Sequence, residues 1–240
     1  MADRILVVNG ASYARAIDGL GDPTSRVSQF MESPKDFKLV LFTGGADVDP
    51  RFYGDTSPKR LCQANPERDI FEISIFKKAK KAEVLMTGIC RGLQFLNVMN
   101  GGKMIHHLEN HGFGTHDMIT DCGDVIPVNS LHHQMIIPGM DSIVTGWTES
   151  LSKLHIGQDD EEINWPGVNY EAAIYTNTKC FGVQYHPEML NNDSEGYQYY
   201  YDMVHRALTM DWNDFVEPHL IKAKDGKSSK ISQSNSCITW

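Results

Sequence analysis

The stretch VLMTGICRGLQFL, residues 84–96, constrains the fold more than any other part of the chain. An apolar run of strand type ends at Cys90, which has a glycine two positions away on each side, and an amphipathic run follows at once. A short apolar run next to a helical period indicates a buried strand that turns sharply into a helix. The two glycines predict that the backbone at Cys90 is held in a strained shape, because side chains beside it would clash.

The first hundred residues alternate between strands and helices. Three short apolar runs predict strands, at residues 4–9, 37–43 and 84–87. Asn65 followed by Pro66 predicts a helix start with Asn65 as the N-cap, and residues 93–100 predict a further helix. In the helix at 67–83 we expect the core-facing residues to be Ile70, Phe71, Ile73, Ile75 and Ala79. This alternation is typical of a parallel sheet with crossover helices.

The second half of the chain has a different pattern. Strand-like segments joined by turns predict antiparallel pairing at residues 124–130, 142–148 and 170–186, the last of these as a hairpin. Apolar and aromatic residues at helical spacing predict a packed helix at 194–210. We expect one domain over residues 1–222 and a polar, Ser-rich, mobile tail over residues 223–240.

Charge and composition exclude several classes of function. The formal net charge of −9 disfavours a nucleic-acid partner, since phosphate contacts need clustered Lys and Arg. No apolar window approaches the ~20 residues of a membrane span, and the amino-terminal residues do not resemble a signal peptide. The five cysteines are odd in number and lack a CxxC pair, which favours a reducing cytoplasm. The ten histidines lack the paired spacing of a zinc site, so no metal site is predicted.

The GxCxG segment has two readings. It is the thiol version of the nucleophile elbow, in which a helix N-terminus directs its free N–H groups and its positive dipole end at the nucleophile. Those groups stabilise a thiolate and a developing oxyanion. The alternative is a buried structural cysteine in an ordinary strand-to-helix turn.

The segment GVQYHPE, residues 182–188, favours the catalytic reading. Side chains two apart in an extended segment project to one side, and Pro187 restricts the backbone between them. Glu188 can then orient the His186 ring through its second nitrogen. Cysteine, histidine and carboxylate in this order can form an acyl-transfer triad.

Six segments carry a resemblance to a known family. The sequence resembles the class I glutamine amidotransferase superfamily and, within it, the γ-glutamyl hydrolase-like branch, peptidase family C26, which contains γ-glutamyl-γ-aminobutyrate hydrolase. The matching segments run in family order and are TGGADVDPRFYGD (43–55), ERDIFE (67–72), GICRGLQFLNVMNGGKMIHHL (88–108), GTHDM (114–118), VNSLHHQ (128–134) and GVQYHPE (182–188). The resemblance implies an α/β fold, a flavodoxin-like three-layer sandwich with a mostly parallel central sheet and antiparallel strands in the C-terminal half.

The resemblance also implies roles for single residues. Cys90 is the nucleophile, His186 the base and acid, and Glu188 the carboxylate that orients His186. The backbone N–H groups of Gly45 and Arg91 form the oxyanion hole. The candidates for the glutamyl pocket are Gln94, Asn129, Ser130 and His132.

The implied reaction is hydrolysis of a γ-glutamyl amide through a thioester on Cys90, releasing glutamate and an amine, without a metal or organic cofactor. Three hypotheses stay open. The chain is a free-standing hydrolase of γ-glutamyl amines, a glutaminase that supplies ammonia to a separate synthetase partner, or a binding module with an inactive site. The implied partners are a small γ-glutamyl substrate or glutamine, and a synthetase or a second copy of the chain, with neither nucleic acid nor membrane.

Overall fold

The main element of the fold is one nine-stranded sheet. The structure is a computed structural model, and it describes residues 3–55, 61–149, 151–158, 161–165 and 167–224. The strands within these residues are β1 (Arg4–Val8), β2 (Asp22–Thr24), β3 (Phe37–Phe42), β4 (Leu85–Ile89), β5 (Lys103–Ile105), β6 (His107–Leu108), β7 (Gly114–Thr120), β8 (Val125–Ser130), β9 (Met135–Ile137), β10 (Ser142–Glu149), β11 (His155–Ile156), β12 (Val168–Tyr175) and β13 (Cys180–Val183). The helices are α1 (Val27–Glu32), α2 (Pro66–Ala82), α3 (Arg91–Met99), α4 (Glu195–Thr209) and α5 (Trp212–Lys224).

The order of strands in the large sheet is β2-β1-β3-β4-β13-β12-β10-β7-β8. Pairing is parallel from β2 through to β13 and antiparallel from β13 through to β8. The segments that contain Cys90 and His186 therefore follow adjacent parallel strands, β4 and β13, whose carboxyl ends meet at one edge of the sheet.

Helices cover both faces of the sheet. Alternate residues of β1 point to opposite sides, so Leu6 and Val8 join a buried cluster with α1, α2 and α3. Ile5 and Val7 join the opposite cluster, which contains α4 and α5. The predicted three-layer α/β sandwich, with a parallel sheet and antiparallel strands in the C-terminal half, is confirmed.

The local signals at the start of α2 act as predicted. Asn65 is the N-cap and its side chain accepts the N–H of Arg68 at 3.1 Å, while Pro66 takes the first helical position. Proline suits that position because its missing N–H would have no partner within the helix. Helix α4 likewise begins after Ser194, whose side chain caps it.

The predicted core face of α2 is partly wrong. Ile70 is 63% exposed and Phe71 is 41% exposed. The buried residues of this helix are Asp69, Glu72, Ile75, Phe76 and Ala79. The reason is electrostatic, since the two inward-facing carboxylates pair with the buried Arg91 side chain, and the neighbouring apolar residues therefore face solvent.

Helix α5 ends at Lys224, so the first two residues of the predicted tail are helical, and residues 225–240 lie outside the described residues. Among the helices of the described residues, none has the length and apolar character that crossing a bilayer requires.

Candidate active site

The turn between β4 and α3 presents Cys90. Its φ of 52° and ψ of −112° are an unusual conformation for a residue with a side chain. The Cys90 N–H donates to the carbonyl of Val183, the last residue of β13, at 2.8 Å. This hydrogen bond fixes the turn against the neighbouring strand, and α3 begins at the next residue.

The two flanking glycines are required by close backbone contacts. A Cβ on Gly88 would lie 2.4 Å from the carbonyl carbon of Gly92. A Cβ on Gly92 would lie 2.0 Å from the carbonyl oxygen of Phe42, at the end of β3. Both distances are far below van der Waals contact, so glycine lets helix, turn and strand approach one another at this point.

His186 and Glu188 follow β13 and face the same site. The Nδ1 atom of His186 donates to Oε1 of Glu188 at 2.7 Å, and both side chains are buried. Cys90 is one of the groups that raise the pKa of His186, which indicates that the thiol lies beside the imidazole. The segment is a 3₁₀ turn over Pro187–Met189 rather than the extended segment that we expected, because Pro187 starts the turn. The contact between His186 and Glu188 therefore forms across a 3₁₀ turn and not along an extended segment.

Burial and two partners act in opposite directions on the His186 imidazole. Desolvation disfavours the charged ring and would lower its pKa. Hydrogen bonding with Cys90 and Glu188, together with the charges of these groups, outweighs burial and raises the pKa of His186 to about 10. The site therefore favours an imidazolium beside the sulfur.

Asn129, at the end of β8, holds the backbone of His186 from both sides. Its Nδ2 donates to the His186 carbonyl at 2.9 Å, and its Oδ1 accepts the His186 N–H at 2.7 Å. Both polar atoms of the Asn129 side-chain amide are therefore used in contacts with the His186 backbone. The geometry indicates that Asn129 positions the imidazole.

Gly45 and Arg91, the predicted oxyanion donors, lie in the loop after β3 and at the start of α3. Gly45 follows β3 with a φ of +139°, and a Cβ there would lie 2.1 Å from Nη1 of Arg68. Arg91 is the first residue of α3, where the N–H has no acceptor within the helix. Both positions are thus suited to present a free N–H group.

A buried charge network links these two positions to α2. The Arg91 side chain is 1% exposed and pairs with the carboxylates of Asp69 and Glu72. Its Nε donates to the carbonyl of Ala46, next to Gly45, at 3.1 Å. The residue after Cys90 therefore also fixes the loop that contains Gly45.

Arg68 extends this network to the end of β3. It donates to Glu72 at 2.8 Å and to the carbonyl of Thr43 at 2.9 Å. The ERDIFE segment, whose role the sequence left open, thus supplies the ionic connection between α2 and the loops around Cys90.

Tyr13 is a site residue that sequence reasoning missed. It lies on a 3₁₀ turn after β1, and its ring centroid is 6.1 Å from that of His186. Burial raises the pKa of Tyr13 to about 12, and the charges of Glu188 and Cys90 add to this effect. The polar segment around Tyr13 shows no strong pattern, so only the fold reveals its position.

Gln94, Ser130 and His132, the other predicted pocket residues, are buried. Gln94 Nε2 lies 3.3 Å from the side-chain oxygen of Gln184, and Ser130 Oγ donates to the carbonyl of His111 at 2.6 Å. His132 Nδ1 donates to a backbone carbonyl, and its Nε2 has no partner among the described residues. Burial, and then the nearby His111, lower the pKa of His132, which keeps its ring neutral.

Comparison with known proteins identifies the relatives of this chain. The family model described as Peptidase C26 matches residues 23–188. The glutamine amidotransferase-like protein YvdE of Lactococcus lactis subsp. lactis is 37% identical over 41% of this chain and 50% of the relative. The chain thus spans half of that relative's length. Protein NtpR of Enterococcus hirae is 28% identical over 69% of this chain and 72% of its own length.

Solved structures with the same fold are more distant in sequence. A Thermoplasma acidophilum protein described as a GMP synthase subunit has a TM-score of 0.53 at 16% identity, covering 87% of this chain and 94% of its own. The glutaminase domain of Trypanosoma brucei CTPS with bound acivicin has a TM-score of 0.54 at 9% identity, covering 88% and 95%. At these identities the likeness establishes the fold alone.

Proposed function

Because this chain belongs to the peptidase C26 family, of the class I glutamine amidotransferase-like type, we propose that it is a cysteine-dependent amidohydrolase. Its proposed substrate is a γ-glutamyl amide, which it cleaves to glutamate and an amine. The observation that carries the proposal is the hydrogen bond between the buried His186 and Glu188 side chains, supported by the effect of Cys90 on the pKa of His186. We also propose that residues 1–222 form the catalytic domain.

The first half of the reaction forms a thioester. His186 takes the proton of Cys90, and the sulfur attacks the γ-carbonyl carbon of the substrate. The carbonyl oxygen becomes an oxyanion, which the N–H groups of Gly45 and Arg91 stabilise. His186 then gives its proton to the amine nitrogen, the carbon–nitrogen bond breaks, and the amine leaves.

The second half releases glutamate. His186 removes a proton from a water molecule, whose oxygen attacks the thioester carbon and forms a second oxyanion. Collapse of this intermediate breaks the carbon–sulfur bond, and the proton returns from His186 to the Cys90 sulfur. Glu188 stabilises the imidazolium in both halves and keeps its ring oriented.

Four residues are proposed to prepare the site for the glutamyl group. Gln94, Ser130 and His132 contribute to the walls of the pocket, and the unpartnered Nε2 of His132 supports a contact with a polar substrate. The paired contact between Asn129 and the His186 backbone supports an indirect role, in which Asn129 positions the base. Asn129 is therefore proposed as a positioning residue rather than as a direct substrate contact.

The second candidate function is a glutaminase that supplies ammonia to a separate synthetase. The description of the YvdE relative as glutamine amidotransferase-like supports it. The two candidates share their chemistry up to the thioester and differ in the amine that leaves. A free-standing hydrolase accepts substituted γ-glutamyl amines, whereas a glutaminase of the second kind prefers glutamine and depends on its partner.

One set of assays tests the proposal. Purified protein is incubated with glutamine and with a panel of γ-glutamyl amines, and the released glutamate is measured. An electrophilic glutamine analogue then labels the protein, and the modified residue is identified by mass spectrometry. We expect hydrolysis of at least one substituted amide, labelling at Cys90, and a loss of at least about 1,000-fold in the Cys90→Ala variant.

Two outcomes would redirect the proposal. Activity on glutamine alone, and only with a co-purifying synthetase, favours the second candidate. Absence of both turnover and labelling at Cys90 would instead support the binding module with an inactive site and reject both enzymatic functions.

A further inference from the structure

The fold gathers three metal-ligating side chains outside the triad. His111 precedes β7, His116 lies on β7, and Glu171 lies on β12. Each offers one ligand atom, and these atoms all lie within 4.8 Å of one another. The Nε2 of His116 is 3.1 Å from Oε1 of Glu171. These three residues do not follow a known metal-site spacing in the sequence. The sequence pattern therefore gave no sign of this cluster, and no metal site was predicted.

Glu171 provides a second and independent observation. Its side chain is 0% exposed, and its Oε2 has no hydrogen-bond partner among the described residues. A buried carboxylate oxygen normally has a partner, because an unpaired one loses the hydration that it had in the unfolded chain. An ion held between Glu171 and the two imidazoles would satisfy this oxygen.

The His111 ring is held in the manner of a metal ligand. Its Nε2 contacts the amide of Asn169 at 2.6 Å, and its Nδ1 is 3.4 Å from Oγ of Ser130. A ligating imidazole typically keeps a polar partner on its other nitrogen, which fixes the tautomer and the ring orientation. Metal binding by His111 would replace one of these two contacts, while the other continues to orient the ring.

We propose that His111, His116 and Glu171 form a binding site for a divalent transition-metal ion, with Zn²⁺ as the best match. Two imidazoles and one carboxylate are a donor set that Zn²⁺ accepts, with a fourth position for water. Metal–ligand distances of about 2.0–2.2 Å place neighbouring ligand atoms roughly 3.3 Å apart. The His116–Glu171 pair already has nearly this separation, so binding requires closure mainly by His111.

The position of the site indicates a structural role rather than a catalytic one. The Glu171 carbonyl accepts the N–H of Gln184 at 2.7 Å, two residues before His186. Ser130, whose hydroxyl donates to the carbonyl of His111, follows Asn129 in β8. A bound ion would fasten β7, β12 and the loop at His111 to the segments that hold the base.

The test measures binding directly in a Cys90→Ala background, which removes the thiolate that could compete for the metal. The metal-free protein is titrated with Zn²⁺ against a chromophoric chelator. We expect one Zn²⁺ per chain and an affinity at least 10-fold lower after His116→Asn or Glu171→Gln. His205→Asn, which removes an exposed histidine from α4, serves as the matched control and should leave the affinity unchanged.

Cobalt provides a second measurement on the same proteins. Co²⁺ should give visible d–d absorption without a thiolate charge-transfer band, and Glu171→Gln should weaken it. Circular dichroism checks that each variant is folded, and if Glu171→Gln is not, His116→Asn alone decides. Zn²⁺ affinity in the parent protein no higher than in His116→Asn, or a cobalt spectrum with thiolate character, would overturn the site and leave the triad proposal intact.

Discussion

Replacing Arg91 by methionine tests the buried charge network that joins the nucleophile turn to α2. The substitution keeps the proposed N–H donor and most of the side-chain volume, but it removes the cation between Asp69 and Glu72. Glu72 retains Arg68 at 2.8 Å and Asn9 at 2.9 Å. Among the described residues, Asp69 retains only the backbone N–H of Asp49, at 2.9 Å. The loss therefore falls mainly on one fully buried carboxylate.

The expected loss of folding stability in Arg91→Met follows from that geometry. Removing one partner of a buried ion pair costs about 3–5 kcal/mol, because a charge is left without compensation in the interior. Burial already raises the pKa of Asp69, with Arg91 opposing the shift. In Arg91→Met this pKa rises further above its unfolded value, so the stability deficit shrinks as the pH falls and Asp69 becomes neutral. We thus expect a loss of about 3–5 kcal/mol near neutral pH and a smaller loss in acid.

Urea unfolding measures the effect. Arg91→Met is compared with wild type at several pH values, and with Asp69→Asn/Arg91→Met, in which the stranded charge is absent and most of the stability should return. Arg51→Met is the matched control, because Arg51 also pairs with an aspartate, Asp49, but is exposed, and no measurable change is expected. A cost below about 1 kcal/mol for Arg91→Met, or no recovery in the double variant, would refute the reasoning.

Three further predictions concern the backbone and the base. Gly92→Ala should destabilise the fold by about 1–3 kcal/mol in urea unfolding, since its Cβ meets the Phe42 carbonyl, whereas Gly112→Ala, with open space around it, should be neutral. Asn129→Ala should lower kcat more than it raises KM if it positions the base, and the reverse split in steady-state kinetics would contradict that role. The raised pKa of His186, about 10, contributes stability that is complete below its ordinary value of 6.5 and is lost as the pH rises to about 10. His186→Gln should flatten this decline in urea midpoints measured across that range, and an unchanged slope would count against the assignment.

Local patterns in the sequence were sufficient for the framework of the fold. The Asn65–Pro66 helix start and the glycine-flanked turn at Cys90 depend on neighbouring residues, so both could be predicted from short segments. Ile70 and Phe71 were misplaced because the inward face of their helix is decided by an arginine from another element. No periodicity in α2 reports that ionic contact.

The candidate site was predictable to a similar depth. Cys90, His186 and Glu188 stood out because their residue types and neighbours are distinctive. The contact of Asn129 with the His186 backbone joins residues 57 positions apart, and the approach of Tyr13 joins two elements at opposite ends of the domain. Such side-chain contacts arise from strand order, which a single sequence does not report.

The hydrogen bond from Cys90 to Val183 has a consequence for how the protein matures. Strands β4 (Leu85–Ile89) and β13 (Cys180–Val183) are adjacent in the sheet although they lie far apart in the chain. Such long-range parallel pairing forms slowly because loop closure comes first. During synthesis the turn at Cys90 emerges well before β13, so helices can form before Cys90 and His186 are brought together. The rate at which Cys90 recovers its thiol reactivity after dilution from denaturant would therefore report when the sheet closes. Circular dichroism of the helices would not detect this event.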